Sequence, residues 1–217
     1  MLDAIQVETG AAVDASIIWL HGLGADGHDF ESICDDLDLP SSLGIRYIFP
    51  HASVRPVTIN GGMRMRAWYD IRNLDLSSEL DLKGIEESAQ EVTPLLEREV
   101  ARGVAPDRII LAGFSQGGLI ALHVGLRYPR RLGGILALST YCPTVLDLNG
   151  PLHQIPIFWG HGDLDNVVPI SAARATLADL HEKGLDTEFK TYPMEHSLCS
   201  QEVSDIARWI SRRLERV

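Results

Sequence analysis

Cysteine is scarce in this chain, and basic residues are outnumbered. The three thiols, Cys34, Cys142 and Cys199, are odd in number and fit no paired metal-ligand spacing, which argues against a disulfide framework and for a setting where thiols stay reduced. Cys199 lies shortly after His196, but a thiol so placed is more often a bystander than a nucleophile. Lys and Arg number 19 against 30 Asp and Glu, a formal charge of −11 that repels phosphate backbones and anionic lipid; no nucleic-acid partner is expected. No apolar run approaches the ~20 residues that span a bilayer, and the first ten residues lack the basic cluster and apolar core of a signal peptide. These absences predict a cytoplasmic protein without stable membrane insertion. No His-Glu-x-x-His spacing marks a metal site, and no Gly-Lys-Ser/Thr ending or dinucleotide fingerprint marks a bound phosphate. Neither a metal nor a cofactor is expected. Repeats, low-complexity tracts and linker-like shifts in composition are missing too.

What is present is a chain of 217 residues, 45% of them apolar, enough for one well-buried core and one domain over 1–217. Short apolar runs at 16–20, 45–49, 109–112, 134–138, 157–160 and 188–192 alternate with helical stretches. That alternation predicts the α/β class, a mostly parallel central sheet with helices on both faces. The clearest helix has Asp81 as N-cap and Leu82, Ile85, Ala89, Val92, Leu96 and Val100 at steps of three and four. Pro94 inside it predicts a kink or a late restart. Further helices are expected after Ser115, over 172–182, and along the stripe Val203, Ile206, Ile210 and Leu214, with Arg212, Arg213 and Arg216 near its negative end.

The strongest motif is GFSQG at 113–117, placed directly after an apolar run and before a helical stretch. A nucleophile in a sharp strand-to-helix turn needs neighbours without side chains, and the turn exposes the serine oxygen at the positive end of the next helix. A serine hydroxyl requires a base, and the base requires an acid. HGDLD at 161–165 and MEHS at 194–197 each follow a strand, on the edge where Ser115 sits. The base is His196, and the acid is Asp163 or Asp165, which spacing alone does not separate. The other seven histidines, His161 among them, read as structural or surface residues. The Gly-rich stretch HGLGADG at 21–27 can turn amides inward, so the oxyanion is assigned to the backbone N–H groups of Leu23 and Gln116.

LHGLGADG from Leu20, AWYDI from Ala67, GFSQGG from Gly113, LSTYCP from Leu138, HGDLDNVVP from His161 and YPMEHS from Tyr192 together make the chain resemble the phospholipase/carboxylesterase family, which includes the acyl-protein thioesterases, over nearly its whole length. The resemblance implies an α/β-hydrolase fold and a Ser115, Asp165, His196 triad, with Asp165 matching the end of the acid motif. It implies hydrolysis of carboxylic esters of short to medium acyl length, with lysophospholipids or acylated proteins as substrates of some members. This chain departs from the pattern at Glu195 and Thr140, where the family usually has Gly. A carboxylate at 195, turned toward the imidazole, would favour the imidazolium.

The link from Leu138 to Ile157 is too short for an inserted cap domain, so the site should be open. The long segment from Pro50 to Leu80 is then expected to form an apolar acyl groove through Met63, Met65, Trp68, Leu74 and Leu76. Exposed apolar residues there suggest a monomer or weak homodimer.

Overall fold

The computed structural model describes residues 2–10, 12–73, 79–148 and 152–215. In chain order, β1 (Ala4–Thr9) and β2 (Ala15–Leu20) lead to a single-turn helix α1 (Ile33–Asp36), then β3 (Ile45–Pro50), β4 (Val54–Val57) and β5 (Met63–Arg66). The long helix α2 (Leu82–Ala101) precedes β6 (Ile109–Phe114), α3 (Gln116–Arg127) and β7 (Gly134–Leu138). The chain closes with β8 (Ile157–Gly162), α4 (Ile170–Glu182), β9 (Thr187–Tyr192) and α5 (Ser200–Leu214). Seven strands form one sheet in the order β1-β3-β2-β6-β7-β8-β9, parallel except for β1.

Alternation within the strands builds two apolar layers. Ile18, Leu20, Ile48, Leu111, Ile135 and Trp159 meet α2, α3 and α4 on one face. Ile17, Trp19, Tyr47, Phe49, Ile110 and Phe158 meet α1 and α5 on the other. A strand buried on both faces reads as an unbroken apolar run, which is why β2, β3, β6, β7 and β8 were visible in the sequence, whereas the edge strand β9, TEFKTY, is only half buried and shows as an alternating run. Between β7 and β8 the described residues hold only a short 3-10 turn, Pro143–Asp147, and no cap domain.

Three features differ from the sequence reading. β1 pairs antiparallel with β3 at the sheet edge, where its side chains are half exposed, so AIQVET carries little periodic signal. The segment after Pro50 is not an open loop: β4 and β5 form a separate two-stranded hairpin, with Val54 opposite Arg66 and Val57 opposite Met63. The helix capped by Asp81, whose side chain accepts from Gly84 N at 3.2 Å, runs unbroken through Pro94 with no restart. Proline deprives the Gln90 carbonyl of its helical donor, and that turn is tolerated because Gln90 is exposed to water.

The topology also fixes where a site can form. From β2 the chain moves to β3 on one side and later returns to β6 on the other. Loops leaving the carboxyl ends of β2 and β6 diverge there and open a crevice at the switch point. His21 to Gly24 follow β2, and Ser115 follows β6.

Candidate active site

Ser115 occupies the turn between β6 and α3 with φ 54° and ψ −119°, a left-handed conformation that a non-glycine residue adopts at a cost on the order of 1–3 kcal/mol. The flanking glycines make the turn sterically feasible. A Cβ at Gly113 would overlap the Gly117 carbonyl, and a Cβ at Gly117 would overlap the carbonyls of Leu20 and His21. The Ser115 amide donates to Leu138 O at 2.9 Å, tying the turn to β7. The 12-residue α3 begins at the next residue and points its positive end at the serine.

Three side chains distant in sequence meet at this edge of the sheet. The Ser115 hydroxyl donates to His196 Nε2 at 2.9 Å, and His196 Nδ1–H donates to Asp165 Oδ2 at 2.7 Å. Asp165 is buried, and its other oxygen accepts from the amides of Val167 at 2.9 Å and Val168 at 2.8 Å. Four lone-pair directions are thereby largely spoken for, which locks the carboxylate plane. Asp163, the rival acid, is exposed, and its amide donates to Tyr192 O at 2.8 Å instead. His161 is fully buried with Nε2 bonded to Val168 O at 2.9 Å, and burial lowers its pKa, so it braces the acid loop as a neutral ring. Cys199 caps α5 and is not among the residues lining the cleft at Ser115.

Three buried side chains hold the candidate oxyanion loop. His21 donates from Nδ1 to Gly22 O at 2.7 Å and accepts the Ala52 amide on Nε2 at 3.1 Å; burial lowers its pKa, which fits this neutral tautomer. The Trp68 indole N–H donates to His21 O at 2.8 Å. The Gln116 side chain accepts from Trp68 N at 2.8 Å and donates to Tyr69 O at 2.7 Å. Leu23 and Gln116 both line the cleft beside Ser115. Among the described residues, neither backbone amide donates to an acceptor within the protein.

The cleft has a volume of about 300 Å³ and is walled mainly by Leu23, Tyr69, Ile71, Tyr141, Val167 and Val168. A larger hollow of about 380 Å³ between α2 and α3 contains none of the residues of this site. The acyl groove expected from the sequence is therefore corrected in part. Trp68 is fully buried, tilted against His21 with ring centroids 5.3 Å apart, and supports the loops from beneath instead of touching the cleft. Met65 lies on β5, with its sulfur beside Gly24, outside the cleft wall. Leu74 and Leu76 fall outside the described residues. The walls that sequence reading did not assign come from loops that follow strands: Tyr69 and Ile71 after β5, Tyr141 after β7, Val167 and Val168 after β8. All of them lie within motifs that carry the family resemblance, but none was singled out as lining the cleft. The Glu195 side chain is exposed and makes no hydrogen bond or ion pair among the described residues, so the condition for an effect on His196, a turn toward the imidazole, is not met.

Behind the His196 loop, Glu202 in the first turn of α5 is fully buried, and neither carboxylate oxygen makes a well-formed hydrogen bond among the described residues, the Cys199 backbone offering only a partial offset. Burial pushes its pKa up to about 8, with the nearby Asp205 charge adding to the rise. Asp205 itself is held by Lys190 at 3.3 Å, by Tyr192 at 3.0 Å and by Arg208. Between the ordinary carboxylate range and about pH 8 the unfolded chain releases this proton while the folded chain keeps it. The unfolded state then binds fewer protons, so stability falls as pH rises through that window, by a few kcal/mol in all. Glu202→Gln should remove this dependence: thermal melts of variant and parent should diverge in the variant's favour on going from pH 5 to pH 8. Parallel melting curves at both pH values would contradict it.

With this geometry in view, comparison with known proteins is decisive on kinship. The family model for phospholipase/carboxylesterase matches residues 3–214. The carboxylesterase SOBER1 of Arabidopsis thaliana is 35% identical over 206 residues, covering 92% of this chain and 90% of that protein. Acyl-protein thioesterase 1 of Cryptococcus neoformans is 35% identical over 237 aligned positions, covering 99% and 98%. The crystal structure of Arabidopsis thaliana SOBER1 superposes with a TM-score of 0.87 at 34% identity, covering 93% of this chain and 99% of that one. On sequence and fold together, the chain belongs to the phospholipase/carboxylesterase family of α/β-fold serine hydrolases.

Proposed function

We propose that this chain, as a single hydrolase unit, cleaves carboxylic esters of short to medium acyl length, and thioesters, through an acyl-enzyme at Ser115. The observation that carries the reading is the imidazole of His196 bridging Ser115 at 2.9 Å and Asp165 at 2.7 Å. Ser115 Oγ bonds to the substrate carbonyl carbon as His196 Nε2 takes the hydroxyl proton, and Asp165 stabilises the imidazolium. The carbonyl oxygen becomes an oxyanion facing the amides of Leu23 and Gln116. Collapse breaks the bond to the leaving alcohol or thiol, which receives the proton from Nε2. Water then attacks the acyl-enzyme with the same histidine as base, releasing the acid and restoring Ser115. The names of the relatives, a carboxylesterase and an acyl-protein thioesterase, support both bond types.

Substrate size follows from the cleft. Apolar walls at Ile71 and Val167 suit the acyl part of a small or lipid-like ester, with lysophospholipids and acylated proteins within range. A panel of aryl esters and thioesters of rising chain length tests this. Ile71→Trp should lower kcat/KM for octanoyl substrates about tenfold more than for acetyl ones. Equal losses at every length would assign Ile71 to scaffolding. A binding protein of the same fold without catalysis is the competing reading, and it requires the wild type to ignore every member of the panel.

The setting proposed is cytoplasmic, supported by three free cysteines, with no nucleic-acid partner, given the charge of −11. No helix among the described residues is long and apolar enough to cross a membrane. Val167 at the cleft and Leu164 on the same acid loop are 56% and 65% exposed, which supports a monomer or weak homodimer.

A further inference from the structure

We propose that Thr140 is a positioning residue that orients and polarises the Ser115–Gln116 peptide, whose N–H is one of the two donors assigned to the oxyanion. This inference rests on the hydrolase reading above. The Ser115 carbonyl accepts three hydrogen bonds: from Gly118 N at 3.0 Å, from Leu119 N at 3.3 Å, and from the Thr140 hydroxyl at 2.7 Å. The first two are the ordinary start of α3. The third is the shortest, and it comes from the loop that follows β7.

Local backbone explains how Thr140 arrives there. β7 ends at Leu138, and Ser139 turns with φ 45° while its amide donates to Gly160 O at 2.9 Å. That turn lays Thr140, fully buried, across the first turn of α3. A Cβ at Gly118 would sit 2.7 Å from both Cβ and Cγ2 of Thr140 and 2.9 Å from its hydroxyl. The last glycine of GFSQGG, Gly118, thus leaves the space that the threonine occupies. Two strained turns, at Ser115 and Ser139, end adjacent strands and are joined by this one hydroxyl.

The chemical consequence follows from amide resonance. The carbonyl of residue 115 and the N–H of residue 116 belong to one planar peptide. A hydrogen bond to the oxygen draws electron density from nitrogen, so the N–H becomes a better donor, and a third bond fixes the plane in which it points. A chain with Gly at position 140 would lack this hydroxyl. Thr140 touches no reacting atom; it acts through the donor.

The test compares Thr140→Val, nearly the same shape without the hydroxyl, with Thr140→Ser, which keeps it. The Ser115 carbonyl retains two amide partners in the valine variant, so no buried acceptor is orphaned. The valine variant should lose about tenfold in kcat with KM within about twofold, since an indirect effect is smaller than deleting an oxyanion donor. Its affinity for an alkyl boronic acid, which forms a tetrahedral anionic adduct on the serine, should fall in parallel. The serine variant should stay within about twofold of wild type on both measures. A valine variant with wild-type kcat and boronate affinity overturns the inference, and so does a serine variant that loses as much as valine, which assigns the residue to packing. A wild type without activity or boronate binding sinks the hydrolase reading, and this inference with it.

Discussion

Ser115→Ala should lower kcat by about 10⁴–10⁶ on any ester or thioester that the wild type cleaves, with KM little changed. The argument is chemical and steric at once. Alanine removes the hydroxyl that lies 2.9 Å from His196 Nε2, and among the described residues no other serine and no cysteine lines the cleft: Cys199 opens onto a neighbouring groove. Alanine must still adopt the left-handed φ of 54° that serine already takes, so the turn, the sheet and the two candidate oxyanion amides should survive. Melting temperature is expected to move by no more than a few degrees, which separates lost chemistry from lost structure. Residual rate above background would come from those amides and from binding alone. The measurement is kcat and KM on one substrate, with circular dichroism melts of both proteins.

Asp165→Asn should cost about 10³–10⁴ in kcat, whereas Asp163→Asn should change it less than about threefold. Asp165 offers acceptors only: Oδ2 to His196 Nδ1–H, and Oδ1 to the amides of Val167 and Val168. An amide there must aim its NH₂ at one of these donors. Facing the imidazole, it forces the tautomer whose Nε2 carries a hydrogen and no longer accepts from Ser115. Facing the backbone, it opposes two N–H groups and loosens the loop. Asp163 is exposed and enters only through its main chain, so its side chain has no comparable task. Steady-state kinetics of the pair, on the same ester, decide between the two carboxylates. Similar losses in both variants would contradict the assignment.

Much of the fold was legible because burial on both sides of a parallel sheet writes itself as compact apolar runs. The runs containing Ile17, Ile110 and Leu136 are of this kind. β1 escaped notice because an edge strand is half wet and its AIQVET pattern is mixed. The β4–β5 hairpin lay hidden in a stretch whose glycines and prolines looked like punctuation without pairing. At the candidate site, Ser115 and His196 stood out because each follows a strand within a short motif, while the same spacing left Asp163 and Asp165 unseparated until the family resemblance favoured Asp165. The cleft walls were not. Tyr141 and Val168 are ordinary apolar residues in sequence, and only the convergence of loops from β7 and β8 turns them toward the serine. Trp68 misled for a related reason: a large flat side chain in a long connecting segment can face a ligand or brace a loop, and here its N–H bond to His21 O makes it a brace.

The central claim is that Ser115 is the nucleophile, activated by His196. The most direct measurement is treatment of the native protein with a fluorophosphonate, followed by intact mass and peptide mapping. One adduct on Ser115, absent in Ser115→Ala and formed far more slowly in His196→Ala, is the expected result. Unmodified protein, or a label carried by another residue with Ser115 untouched, would contradict the claim.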